Sequence, residues 1–335
     1  MSSPGTTMRA AVLGADGPVI VERKLARPGP TEILVRVRAA SLNRADLLLI
    51  DGKAHGLQGG PGTPLGLEWA GEVIEAGADV ADVSGLKVGD RVMCSGTGGF
   101  ADYAVTDARR AFAIPSAAMS YETAACLTVA LRTAHVALVT HGALRMGRSV
   151  LVLGASSGVG LMCLQVARLL GAGTVVGTST RADRRERLRE FGAGETVDTG
   201  DAGWPDAVLA LTGGRGVDLV IDFLAGPHLG PAMRATALGG RIVNVGRMAG
   251  ERGEFDFDLH SMRRIQYLGT SFRTRDAAEV GAIGAQVRAD LWPALQAGLL
   301  GLPIDMRLPL EAVAQACDAM RRNVHFGKIV LSTDQ

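Results

Sequence analysis

SVLVLGASSGVG, residues 149–160, decides the fold. Val150 to Leu153 form an apolar run of strand length that stops at Gly154. A turn of small residues follows, Ala155-Ser156-Ser157-Gly158-Val159-Gly160, and then the amphipathic segment LMCLQVARLLGA opens. Strand, tight turn and helix start, in that order, build an anion site. The first-turn amides of a helix have no intrahelical acceptor, and glycines let a phosphate approach the backbone. A glycine fingerprint alone is weak, but between a strand and a helix it reads as the pyrophosphate loop of a dinucleotide. Gly154, Ser156, Ser157, Gly158, Val159 and Gly160 are the expected contacts, with the amides of Ser157, Gly158 and Val159 nearest the pyrophosphate.

Outward from that loop the pattern repeats. TVVGTS, ETVDT, VDLVIDFLA and GGRIVNVG read as strands, and ADRRERLREFGA, PDAVLALTGGRG and GPAMRATAL as the helices between them. Strand–helix repetition with short loops predicts a doubly wound parallel sheet. The first third differs. AAVLG, VIVERKL, EILVRVRAASL, GLEWAGEVIEAG and KVGDRVMCS are short strands separated by Gly and Pro, an all-β barrel-like unit. The tail gives a helix from about Asp276 to Leu300, another near Glu311 to Arg322, and a last strand GKIVLS that returns to the first unit. The expected boundaries are 1–124, 125–267 for the dinucleotide unit, and 268–335 for the return. His55 to Pro64 reads as a surface loop.

Composition closes off other classes. The 335 residues are 47% apolar, enough for two cores, and the net charge of +1 supplies no field for nucleic acid or an anionic membrane. Cys94, Cys126, Cys163 and Cys317 are scattered, with no CxxC pair, which argues against a structural zinc or a disulfide framework. The first residues lack the apolar core of a signal peptide, and no run reads as a membrane span, so a cytoplasmic setting is expected.

The second strand selects the cofactor. NAD units place a carboxylate at its tip, about 20 residues after the glycines. Here the tip is Thr178-Ser179-Thr180-Arg181, followed by Arg184 and Arg185. Hydroxyls and guanidinium groups suit a 2′-phosphate and predict NADPH. The plainer reading is a solvated helix face on which Asp183 and Glu186 pair with the arginines.

Several segments together resemble the zeta-crystallin-like quinone oxidoreductases of the medium-chain dehydrogenase/reductase superfamily: AASLNRADLLLIDG (39–52), PLGLEWAGEVIEAG (64–77), VGDRVM (88–93), GGFADYAV (98–105), LTVALRTAHVAL (127–138) and GASSGVG (154–160). RIVNVGRMAG (241–250), GTSFRTRD (269–276) and NVHFGKIVL (323–331) look closest to the branch of the tumour-suppressor-inducible quinone oxidoreductase. The resemblance implies an α/β fold, a Rossmann doubly wound parallel sheet inserted into a GroES-like β-rich catalytic domain. It also implies a homodimer through the Rossmann sheet edge, around Arg241–Val245 and Arg264–Leu268. Zinc members place Cys before Arg-x-Asp and His before Glu; this chain has Asn43 and Leu67 there, so metal-free chemistry is implied.

The same resemblance supplies the remaining site residues. Asn43 matches the family asparagine beside the nicotinamide, and Thr128 the threonine that meets the carboxamide; these are the expected catalytic pair. Asp46 reads as a structural partner for nearby backbone or Arg44. Arg184 falls at the family's 2′-phosphate lysine, and Arg181 near its serine. Gly246, Arg247 and Met248 follow the last strand of the dinucleotide unit, Phe272 and Arg273 match a segment over the nicotinamide, and Lys328 stands at the family's Gly-Lys. The substrate mouth departs from the pattern, with His55 the nearest polar replacement. The expected activity is NADPH-dependent reduction of quinones or other conjugated carbonyls, a small-molecule reaction. The alternatives are an enoyl-thioester (enoyl-CoA or ACP) reductase and a non-catalytic NADPH-binding protein.

Overall fold

A computed structural model describes residues 6–52 and 59–333; His55 lies outside them. The chain divides into two compact units, Met1–Val129 with Phe272–Gln296 and Gly301–Gln335, and Ala130–Ser271 with Ala297–Leu300.

The second unit is a six-stranded parallel sheet. Its order across the sheet is Glu195–Val197, Thr174–Thr178, Ser149–Leu153, Val217–Asp222, Thr236–Asn244 and Gln266–Gly269. Numbered along the chain this is 3-2-1-4-5-6, the doubly wound order, with its switch point between Ser149–Leu153 and Val217–Asp222. Ser149–Leu153 is buried at every position, as a strand covered on both faces requires. Two expectations are corrected. The helix GPAMRATAL stops at Ala235, because Thr236 turns to extended backbone and begins a strand. That strand, which Gly246–Met248 follow, is the fifth and not the last. Gln266–Gly269 covers it, so Arg241–Val245 is not at the sheet edge.

The first unit carries a seven-stranded sheet running Ile304–Pro309, Lys328–Ser332, Glu32–Ser41, Glu68–Ala76, Arg91–Ser95 and Ala111–Ala113, with Tyr103–Asp107 also on Glu32–Ser41. The last strand of the chain therefore lies against one of the first. Leu34 packs inward beside Ile33 and Val35, so the broken alternation reflects burial on both faces. Thr7–Leu13 and Pro18–Lys24 form a separate hairpin. The helical run Tyr121–His141 corrects another expectation: by length and composition it could cross a membrane, yet 78% of its apolar window is buried inside the fold.

Candidate active site

In the first unit a polar cluster sits where three strands adjoin. Val330 pairs with Ser41, and Ala40 with Trp69, which brings Ser41, Glu68 and Lys328 to neighbouring strand ends. The Leu42 amide donates to the Ile329 carbonyl at 3.0 Å, holding Asn43 beside Lys328. Gly327 aims Lys328: its φ is +86°, and a Cβ there would stand 2.5 Å from the Pro303 carbonyl oxygen.

Glu68, fully buried, is the hub. Its Oε1 accepts the Val129 amide at 2.7 Å. Its Oε2 accepts Lys328 Nζ at 2.9 Å and Asn43 Nδ2 at 3.1 Å. Lys328 Nζ also donates to Asn43 Oδ1 at 3.0 Å. Ser41 Oγ lies 2.9 Å from Glu68 Oε2 and 2.7 Å from the Ala125 carbonyl oxygen; its one proton serves one of the two. With side chains 5% and 0% exposed, Lys328 and Glu68 form a dry ion pair. Removing either partner would cost about 3–5 kcal/mol, because the other is left buried and uncompensated.

Asp46 stands beneath this cluster. Asn43 caps the helix Arg44–Ile50, and its amide donates to Asp46 Oδ2 at 2.7 Å while the Leu67 amide donates to Oδ1 at 3.1 Å. Asp46 is thus a backbone partner as expected; Arg44 turns instead to the Met320 carbonyl and Asn323. Burial pushes the Asp46 carboxyl up to about 7, against the pull of the Asn43 amide and the Lys328 charge. Thr128, fully buried at the first position of the helix Thr128–His135, has a hydroxyl with no hydrogen-bond partner among the described residues. An orphaned hydroxyl of this kind fits a ligand group.

In the second unit Ser157 caps the helix Gly158–Leu169, its Oγ accepting the Gly160 amide at 3.1 Å and donating to the Gly154 carbonyl at 3.1 Å. Gly160 is required by close approach: a Cβ would lie 2.7 Å from the Ala155 carbonyl oxygen. Thr178 is fully buried, and its Oγ1 accepts the Gly154 amide at 3.0 Å. It therefore braces the loop rather than offering its hydroxyl outward. Ser179 is buried beside it and accepts the Arg181 amide at 3.3 Å. Arg181 is exposed and forks onto Asp183 at 2.8–3.0 Å, which is the plainer pairing noted above. Arg184 is buried at the first turn of the helix Ala182–Leu188, and Arg185 ties Asp198 to the Ser179 carbonyl. Met248 leans on the loop; a Cβ at Gly154 would meet its Cε at 2.8 Å.

Asn43, Thr128 and Lys328 are thus gathered in the first unit, Asn43 and Lys328 through direct contact and Thr128 as the neighbour of Val129. Phe272 and Arg273 lie in a turn of that unit, with Arg275 over the Phe272 ring. The loop residues, the strand tip and Gly246–Met248 are gathered in the second. Two residues escaped the sequence reading. Glu68 carries the first cluster, and its only signal was a carboxylate heading the buried strand EWAGEV. Asp222, fully buried at the switch point, accepts the Leu224 and Ala225 amides at 2.9 Å each, and burial raises its pKa. Those bonds hold Ala225 at φ +56°, ψ −151°, backbone that almost only glycine adopts. Among the described residues no group of three or more His, Cys, Asp or Glu could hold a metal, and the four cysteines are buried free thiols.

Residues 29–116 match the alcohol dehydrogenase GroES-like domain, and residues 158–284 the zinc-binding dehydrogenase family. The synaptic vesicle membrane protein VAT-1 homolog of Rattus norvegicus is 33% identical over 320 residues, 91% of this chain and 77% of that protein. The chain belongs to the medium-chain dehydrogenase/reductase family. A far larger protein is similar along part of its length. A mycocerosic acid synthase-like polyketide synthase of Mycobacterium tuberculosis is 30% identical over 91% of this chain, which spans only 14% of it. An NAD-dependent alcohol dehydrogenase superposes with a TM-score of 0.86 at 29% identity, over 98% of this chain and all of that one. The Escherichia coli quinone oxidoreductase complexed with NADPH shares the medium-chain dehydrogenase/reductase fold at a TM-score of 0.86, with 21% identity over 97% of this chain and 99% of that one.

Proposed function

We propose that this chain is an NADPH-dependent reductase of quinones or other conjugated carbonyls, in the zeta-crystallin-like branch near the tumour-suppressor-inducible enzymes. The observation that carries the reading is the strand tip Thr178–Arg181. The Ser179 and Thr180 hydroxyls and the arginine-rich helix start stand where NAD-specific units place a carboxylate. The exposed Arg181–Asp183 pair is worth little in water, so Arg181 can exchange Asp183 for a 2′-phosphate at small cost. The same fold carries NADPH in the Escherichia coli enzyme and serves an NAD-dependent alcohol dehydrogenase, so the choice rests on the strand tip.

When bound, NADPH supplies the hydride. The chain's own residues hold and orient. The loop at Gly154–Gly160, braced by Ser157 and Thr178, receives the pyrophosphate. The orphaned Thr128 hydroxyl takes the carboxamide, Asn43 takes an acceptor oxygen, and Gly246, Arg247 and Met248 border the loop. Asn43 and Leu67, at the positions of the zinc ligands in zinc-dependent relatives, support a metal-free reaction. A reduced quinone takes its proton from solvent. The reading extends to a cytoplasmic setting and to a homodimer joined through the true edge strand, Gln266–Gly269.

A second reading, an enoyl-thioester reductase, is favoured by the polyketide synthase match along 91% of the chain. One experiment separates them: oxidation of NADPH, with NADH as control, is followed against phenanthrenequinone, benzoquinone, an alkenal and crotonyl-CoA. Turnover with quinones and a strong NADPH preference support the first reading, and turnover with crotonyl-CoA alone supports the second. Tight NADPH binding without turnover would leave the non-catalytic class.

A further inference from the structure

The side-chain amide of Asn43 is wedged between two groups of opposite hydrogen-bonding character. An ammonium can only donate, and a buried carboxylate can only accept. Lys328 Nζ at 3.0 Å therefore requires the Asn43 oxygen on its side, and Glu68 Oε2 at 3.1 Å requires the nitrogen on the other. A flipped amide would set N–H against ammonium and C=O against carboxylate, two repulsive contacts in a dry site. Lys328 and Glu68 are 2.9 Å apart, so the three groups close a triangle with no rotamer freedom left. One Asn43 N–H is committed to Glu68. The other meets the Ser41 carbonyl only at 3.4 Å, and Asn43 is half-buried.

We propose that Lys328 and Glu68 are positioning residues that lock the Asn43 amide, so that Asn43 offers an N–H donor to an accepting oxygen of the ligand. This assigns Lys328 an indirect role, through Asn43, in place of a direct contact with cofactor. It rests on the reductase reading above, in which the acceptor is a carbonyl oxygen that gains negative charge as hydride adds to the conjugated system. A fixed donor aimed at growing charge acts in the transition state, so its loss lowers kcat more than it raises KM.

A double-mutant cycle on the full chain tests this. Asn43→Ala and Lys328→Met each lower kcat with the best quinone by about 100-fold, with KM for NADPH within about threefold, and the double variant is no slower than either single one. Multiplying losses, or a rise in KM for NADPH confined to Lys328→Met, would overturn the proposal. Should Lys328→Met fold poorly because Glu68 is left uncompensated, the charge-free pair Glu68→Gln with Lys328→Met takes its place. A second arm needs no turnover and so stands if the reductase reading falls. The chain has three asparagines, Asn43, Asn244 and Asn323, so selective 15N-asparagine labelling gives three side-chain NH2 pairs, each assigned by its own loss on substitution. The Asn43 proton bonded to Glu68 is expected to exchange with solvent more slowly than its geminal partner in the native chain, and Lys328→Met is expected to erase that difference. An unchanged Asn43 pair would overturn the lock whatever the enzyme reduces.

Discussion

Replacing Gly160 by alanine puts a methyl group where the structure has no room. Its Cβ would lie 2.7 Å from the Ala155 carbonyl oxygen and 2.8 Å from the Ala155 Cα, against 3.4 Å for an ordinary contact. The obstacles are backbone, so the helix start and the Ala155 turn must separate by several tenths of an ångström. That movement also stretches the 3.1 Å bond from the Gly160 amide to Ser157 Oγ. Overpacking costs about 1–3 kcal/mol and a weakened cap about 1 kcal/mol. With about 2 kcal/mol falling on the arrangement of the loop amides, the Kd for NADPH rises about 30-fold. Fluorescence titration with NADPH, alongside a thermal melt, measures both parts. Unchanged affinity in a variant whose melting temperature has fallen would refute the assignment of this turn as the phosphate cradle.

Three further outcomes are expected. Asp222→Ala leaves the Leu224 and Ala225 amides without an acceptor and costs about 2–4 kcal/mol in urea unfolding, whereas Asp222→Asn, which keeps the one oxygen both amides use, costs less. Asp46 ionises at about 7 in the folded chain and near 3.8 when unfolded, so its own contribution to stability is fully present below that lower value and falls by up to about 4 kcal/mol as pH climbs to 7. Asp46→Asn flattens that slope while lowering stability at acid pH; an equally steep slope in the variant would refute the assignment to Asp46. Arg184→Ala raises KM for NADPH about tenfold and leaves NADH unchanged, and the exposed Arg181 has a smaller effect; equal losses with both cofactors would place the arginines on a helix face only.

The doubly wound sheet was legible because short apolar runs such as Val150–Leu153, ended by Gly154, recur between helical segments, the pattern burial on both faces imposes. The pyrophosphate loop was legible for the same local reason. What sequence could not deliver were relations across long separations. Lys328 and Asn43 are 285 positions apart, and nothing in either neighbourhood states that they touch. Glu68 looked like one more polar residue at a strand start, because its partners come from three separate segments. The Arg184 side chain, written among charges that read as a solvated face, is buried, while Arg181, three positions earlier, is exposed. Helical phase settles that difference, and the end of the preceding strand sets the phase. The Thr236 turn was missed because ATAL suits a helix as well as a strand, and only its pairing with Val217 decides.

The antiparallel contact between Ala39–Ser41 and Val330–Ser332 also sets an order of events during synthesis. At about 5–20 residues per second, Ser41 waits roughly 15–60 s for the strand that will cover it. Throughout that interval Glu68 has no Lys328, and the early sheet presents an unpaired edge of the kind that recruits other chains. The second unit has no such debt, since nearly all its strands emerge together. A chain cut short before residue 328 therefore has its nucleotide fold able to form and its Asn43 cluster unmade, so the centre assigned to chemistry closes only after the whole nucleotide unit has been made.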